Sequence, residues 1–215
     1  METNKIIAKY KENYNSIFEK IYPSKNSTGF TERNLSVNFA KAYESFYPNA
    51  ITWYEFQFGE KNNLHYDAII VNHEHREIVV IESKRFSNLF KKITEVGADI
   101  ERICDFDKKY FEEFAERIPN LEQYSLIGVI LADVWVESEN KTALKNSFKE
   151  SFFIQRYQEY FPRHIANQDS WFLNGQYFCK DFSDITPVPL KRKNTIPEEY
   201  YLLGMIWDIE KSTDT

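Results

Sequence analysis

His65-Tyr66-Asp67-Ala68-Ile69-Ile70-Val71 and, after a short turn, Arg76-Glu77-Ile78-Val79-Val80-Ile81-Glu82-Ser83-Lys84 form the stretch that decides how this chain folds. Two apolar, β-branched runs flank a polar break at residues 72–75, which is the pattern of a hairpin. An acid opens the first run, and a Glu-x-Lys closes the second fifteen positions later. Strand side chains alternate with a period of two, so Glu82 and Lys84 leave one face while Val79, Ile81 and Ser83 leave the other. Folding about the turn brings Asp67 close to Glu82. Two carboxylates and an ammonium at the end of an apolar hairpin are costly to desolvate unless a cation or a substrate charge completes them.

Upstream, residues 5–21 carry Ile6, Ile7, Tyr10, Tyr14, Ile17, Phe18 and Ile21 at helical spacing. A breaker stretch at 23–29 follows, and Thr31 then suits the N-cap of a second helix carrying Leu35, Val37, Phe39, Ala42, Tyr43 and Phe46. That helix should end before Pro48, and residues 51–58 read as a strand.

Downstream, residues 87–117 turn helical, with Gly97 or residues 105–107 as the points where the helix could divide. Residues 124–134 form a continuous apolar run, as expected of a central strand covered on both faces. An amphipathic helix is expected at 141–160. Asn174-Gly175 suggests a hairpin over 171–179, since that pair adopts the positive φ angles of a tight turn. A Pro-containing loop at 186–197 leads to a last strand at 200–209. The core order is helix–strand–strand–strand–helix–strand, an α/β sandwich built on a mixed sheet.

The 215 residues are enough for one domain with a sizeable core, and 17% aromatic content with only 6 Gly and 7 Pro argues against disorder. Cys104 and Cys179 lack the C-x-x-C spacing of a zinc ribbon or a disulfide framework. No apolar signal core or membrane-length run is present, so a soluble protein of the reducing cytoplasm is expected, with no membrane partner. The net charge of −6 speaks against a protein that merely coats nucleic acid, but leaves room for an enzyme whose site needs acids. Basic pairs at Lys84-Arg85, Lys91-Lys92 and Lys108-Lys109 and the triplet at 191–193 are each consistent with an ordinary solvated face. His73-Glu74-His75 has the spacing of two metal ligands, yet it falls in the turn with no third ligand nearby and reads as an exposed pair.

Phosphodiester hydrolysis at neutral pH calls for a divalent cation, hard oxygen ligands to hold it, and a positive group beside the attacking water. Asp67 and Glu82 offer the carboxylates, and the backbone carbonyl of Ser83 offers a third oxygen. Lys84 stands close enough to orient the water, to stabilise phosphate charge, or to act as a base if its pKa falls. This arrangement resembles the PD-(D/E)xK nuclease superfamily, the restriction-endonuclease-like proteins, over about residues 31–134. The resemblance implies a three-layer sandwich with an αβββαβ core, Asp67 and Glu82 as metal acids, and Lys84 as the signature lysine. It also implies an accessory acid near the start of the first core helix, where Glu32 stands. Glu44, on that helix's last turn, is a second candidate for the same role. Tyr66 departs from the superfamily's usual proline, at a position that varies widely.

The resulting expectation is an Mg²⁺-dependent (or Mn²⁺-dependent) deoxyribonuclease leaving a 5′-phosphate, by analogy of fold a restriction or defence endonuclease. Its rival is a non-catalytic nucleic-acid-binding or interaction module that retains the fold. Residues 1–30 would pack as a helical segment on the nuclease core at 31–135. Residues 136–215 would extend the same domain with C-terminal β additions serving substrate choice or a homodimer. Arg85, Lys91 and Gln57 are weaker candidates for substrate contact, and Tyr54 could share Gln57's cleft.

Overall fold

The computed structural model describes residues 1–20, 32–57, 65–86, 89–104, 106, 118–136, 176–181 and 199–209. Helices α1 (Thr3–Lys20) and α2 (Arg33–Glu44) precede strands β1 (Ile51–Gln57), β2 (His65–Asn72) and β3 (Glu77–Phe86). Helix α3 (Leu89–Cys104) and a 3₁₀ turn at Leu121–Gln123 lead to β4 (Ser125–Val136), and β5 (Gln176–Asp181) and β6 (Glu199–Ile209) follow. Thr31 and Ile21 lie outside the described residues, as do the helix expected at 141–160, the loop at 186–197 and the first half of the 171–179 hairpin.

The six strands form one mixed sheet in the order β1-β2-β3-β4-β6-β5. β1, β2 and β3 make an antiparallel meander, while β3 and β4 run parallel, as the intervening α3 crossover requires. β6 is antiparallel to both β4 and β5 and lies between them. The register Asn72↔Glu77 puts the β2–β3 turn at residues 73–76. Arg76 adopts φ 52° there, and the Asn72 side chain accepts the His75 N–H at 3.2 Å.

Period-two alternation sorts the core into two layers. Ile69 and Val71 of β2, Ile78 and Val80 of β3, and Ile130 and Ala132 of β4 pack with Val96, Ile100 and Ile103 of α3. Ala68, Ile70, Val79, Ile81, Val129 and Leu131 leave the opposite face and pack with Ile6, Tyr10 and Tyr14 of α1 and Leu35, Phe39 and Tyr43 of α2. Covered on both faces, β4 has no need of polar alternation, which is why it reads as a continuous apolar run. Gly97 does not break α3, whose helical hydrogen bonding continues to Cys104.

The sheet is uneven at one end. The β2–β3 ladder stops at Ala68↔Ile81, whereas the β3–β4 ladder continues to Phe86↔Val134. The last residues of β3 therefore extend past β2 with one backbone edge in need of partners.

Candidate active site at the overhanging end of the third strand

Successive N–H groups along a strand point to alternate edges, so those of Ser83 and Arg85 share the edge that β2 has vacated. Two carboxylates close it. Asp67 Oδ2 accepts the Ser83 N–H at 2.6 Å, and Glu32 Oε1 accepts the Arg85 N–H at 2.7 Å. The Ser83 carbonyl leaves the strand on this same edge. Glu32 immediately precedes α2 and makes no side-chain cap to its own helix; its carboxylate reaches across to β3 instead.

Asp67 owes its aim to an irregularity in the β1–β2 pair. Tyr54↔Ala68 and Phe56↔Tyr66 leave Glu55 and Asp67 facing each other without ladder pairing, and Glu55 takes φ 53°. Tyr66 and Ile69, three residues apart, both join the α3-side core, so the alternation slips at this point. Such local breaks re-aim a side chain near a strand end.

On the α3 face, Glu82 is 2% exposed and its Oε1 is held by Arg102 Nη2. Lys84 Nζ lies 3.0 Å from Asp99 Oδ2, and Asp99 Oδ1 accepts from Arg102 Nη2 at 2.8 Å. Arg102 follows Asp99 by three residues on α3, with its guanidinium 5.6 Å over the Tyr66 ring, and the Tyr66 hydroxyl donates to the Arg102 carbonyl at 2.9 Å. Three carboxylates, Asp67, Glu82 and Asp99, thus surround two cations, Lys84 and Arg102.

This crowding of negative charge, with burial, shifts the acids upward. Burial, then the Asp67 and Asp99 charges, push Glu82 up to about 8, against the pull of Arg102. Burial also raises Asp67 to about 6, with Glu55 and Glu32 adding to the rise and the Ser83 N–H and Lys84 opposing it. For Lys84, burial favours the neutral amine, but Asp99, Glu82 and Asp67 outweigh it and its pKa is raised. Among three carboxylates the shift runs opposite to the lowered pKa that a Lys84 base would need, and favours the cation.

Asp67, Glu82 and Lys84 meet as the hairpin register requires, and Glu32 joins them through β3. Glu44 does not: it accepts from Thr52 Oγ1, at the far end of α2. Arg85 leaves the opposite face from Glu82 and Lys84, where its guanidinium contacts fully buried Asp133 at 3.3 Å, so it does not border the Lys84 side of the strand. Gln57 is exposed at the end of β1 opposite His65, and Tyr54 packs against the α1–α2 core. Lys91 belongs to α3, and its side chain is outside the described set. His73 and His75 are exposed in the turn, His73 Nδ1 sharing a hydrogen bond with the Tyr124 hydroxyl at 2.8 Å.

Asp99 and Arg102 were missed in the sequence. Their signal was present: two charges at i, i+3 spacing within a helix whose apolar stripe runs through Val96, Ile100 and Ile103. Among the described residues no three His, Cys, Asp or Glu side chains stand together as a metal-holding group, and no helix is long and apolar enough to cross a membrane. Compared with known proteins, the chain matches no family model, no curated protein and no solved structure.

Proposed function

We propose that this protein is a metal-dependent nuclease of the PD-(D/E)xK type that hydrolyses DNA phosphodiester bonds. One observation carries the reading: Asp67 closes the edge of β3 at Ser83, between Glu82 and Lys84, so both carboxylates and the lysine gather around one strand end. The element order α2-β1-β2-β3-α3-β4, with an antiparallel meander and a parallel β3–β4 pair, supports it as the αβββαβ arrangement of a restriction-endonuclease-like sandwich.

The residues fit a hard divalent ion. Asp67 uses Oδ2 to accept the Ser83 N–H, and both acids are raised in pKa by burial and by crowded negative charge. Mg²⁺ is commonly held by one or two carboxylates, with water and substrate phosphate completing its shell, so a third acidic side chain is not required. The donors are all oxygen, which suits Mg²⁺ or Mn²⁺ rather than Zn²⁺. Bound there, such an ion would polarise the phosphoryl group and lower the pKa of a water.

The chain's own residues do the rest. Asp67 and Glu82 present oxygens from two adjacent strands whose spacing the sheet sets. Glu32 holds the β3 backbone at Arg85, which keeps the Ser83 carbonyl and Lys84 in register. Lys84, kept charged by Asp99, offers an ammonium to phosphate charge that grows as the water attacks. The partner of this site is nucleic acid, and DNA is the proposed substrate.

A second reading has an observation of its own. Each charge of the cluster already has an internal partner: Glu82 with Arg102, Lys84 with Asp99, Asp67 with the Ser83 N–H and Glu32 with the Arg85 N–H. A non-catalytic nucleic-acid-binding module could use the same cluster simply to finish an overhanging strand. Cleavage of plasmid, single-stranded DNA and RNA by wild type and Lys84→Ala, with Mg²⁺ or Mn²⁺, separates the two. Cleavage of DNA by wild type alone supports the nuclease; no cleavage with either ion supports the binding module.

A further inference from the structure

Arg102 is paired with Glu82, one of the two acids proposed to hold the metal. Its Nη2 holds Glu82 Oε1 at a carboxylate only 2% exposed, and the same nitrogen contacts Asp99 Oδ1. One nitrogen thus serves two acids, while buried Nε of the same guanidinium has no hydrogen-bond partner among the described residues. A guanidinium fully seated on its partner would use its planar fork in a bidentate way. This one is incompletely seated. Its side chain is 26% exposed, so a path to solvent exists, and its guanidinium lies 5.6 Å over the Tyr66 ring.

We propose that Arg102 is the site's resident cation, a positioning residue that occupies Glu82 Oε1 in the metal-free chain and is displaced from it when a divalent cation binds. This rests on the metal-site reading of Asp67 and Glu82. Two cations cannot share a buried carboxylate without strong mutual repulsion at low effective dielectric. Asp99 gives the displaced guanidinium a place to stay, because it lies one turn earlier on the same helix and already accepts from it. Arg102 thereby opposes metal binding, and the site's affinity is set by the difference between the two cations on one acid.

The test is calorimetric titration of Mn²⁺ into the full chain, comparing wild type, Arg102→Gln and Arg102→Lys. Removal of the resident charge should tighten Mn²⁺ binding at least about tenfold in Arg102→Gln, while Arg102→Lys stays near wild type. A merely structural arginine would leave affinity unchanged or weaken it, and that result with measurable wild-type binding overturns the proposal alone. If neither wild type nor Arg102→Gln binds Mn²⁺, the metal reading itself fails. Wild type offers a measurement that needs no variant to fold. The Arg102 Nε–H resonance should shift on Mg²⁺ addition, and a resonance that does not move while Mg²⁺ binds overturns displacement.

Discussion

Asp67 Oδ2 accepts the backbone N–H of Ser83 at 2.6 Å, so an acid of β2 is bonded to the residue standing between Glu82 and Lys84 on β3. This contact makes Asp67 both a structural cap and a candidate ligand, and the two roles separate by substitution. Asp67→Ala leaves the Ser83 N–H without its acceptor and should cost about 1–2 kcal/mol of stability in urea unfolding. Asp67→Asn retains an acceptor and removes a poorly solvated charge, so its stability should equal or exceed wild type. Both variants should lose metal-dependent cleavage. Asparagine as destabilising as alanine would show that the hydrogen bond is not what Asp67 contributes.

Glu82 makes stability depend on pH with a definite sign. Its folded pKa, about 8, lies above its ordinary 4.5, so the folded state keeps a proton that the unfolded chain has released. The associated stability is fully present below about pH 4.5 and is lost as pH rises through about 8. Asp67, raised to about 6, adds to the loss in the lower half of that window. Metal-free wild type should lose a few kcal/mol across it, on the order of 1.4 kcal/mol per pKa unit. Glu82→Gln should be much flatter in thermal melts from pH 4.5 to 8.5; an equally steep fall would place the titrating group elsewhere.

Lys84 is expected to act by charge alone. Lys84→Ala should lower cleavage by about 10²–10³-fold, the usual cost of removing one electrostatic contact to the reacting group. Because Asp99, Glu82 and Asp67 outweigh burial and raise the lysine's pKa, the wild-type pH–rate profile should show no falling limb from Lys84 in the neutral range. A lysine acting as base would give a profile that rises as the ammonium deprotonates.

Away from the site, Gly128 of β4 faces Trp207 of β6 in the ladder, and a Cβ there would lie 2.3 Å from Trp207 Cε2 and Cζ2. Trp207 is 3% exposed and belongs to the α3-side core, so the ring has little freedom to retreat. Gly128→Ala should therefore destabilise by about 1–3 kcal/mol, the usual range for overpacking. The melting temperature and tryptophan fluorescence would report it. An unchanged melting temperature would mean that the indole repacks freely.

Much of the fold was legible because its signals are local. The 3.6 period marked α1, α2 and α3, and the apolar run at 124–134 marked β4 as central. The hairpin register was legible to within a residue of its turn, which put Asp67 beside Glu82. Arg85 reads in the sequence as an exposed cation, and the structure places it on the face opposite Lys84, against buried Asp133. The placement of β6 between β4 and β5 was not legible, since strand order depends on long-range pairing that no local pattern records.

The sequence by itself determined which residues share a strand face, because a period of two along Glu82-Ser83-Lys84 follows from backbone geometry alone. It also determined that Asp67 would lie near the Glu82 end of β3, through the spacing of two apolar runs about one turn. Only the tertiary structure decided what neutralises these charges. Asp99 and Arg102 come from a helix laid across the sheet, and Glu32 reaches the Arg85 N–H from 53 positions away in the chain. Electrostatic partners are chosen by distance in space, and where chain separation and spatial distance part company, sequence pattern has nothing to measure.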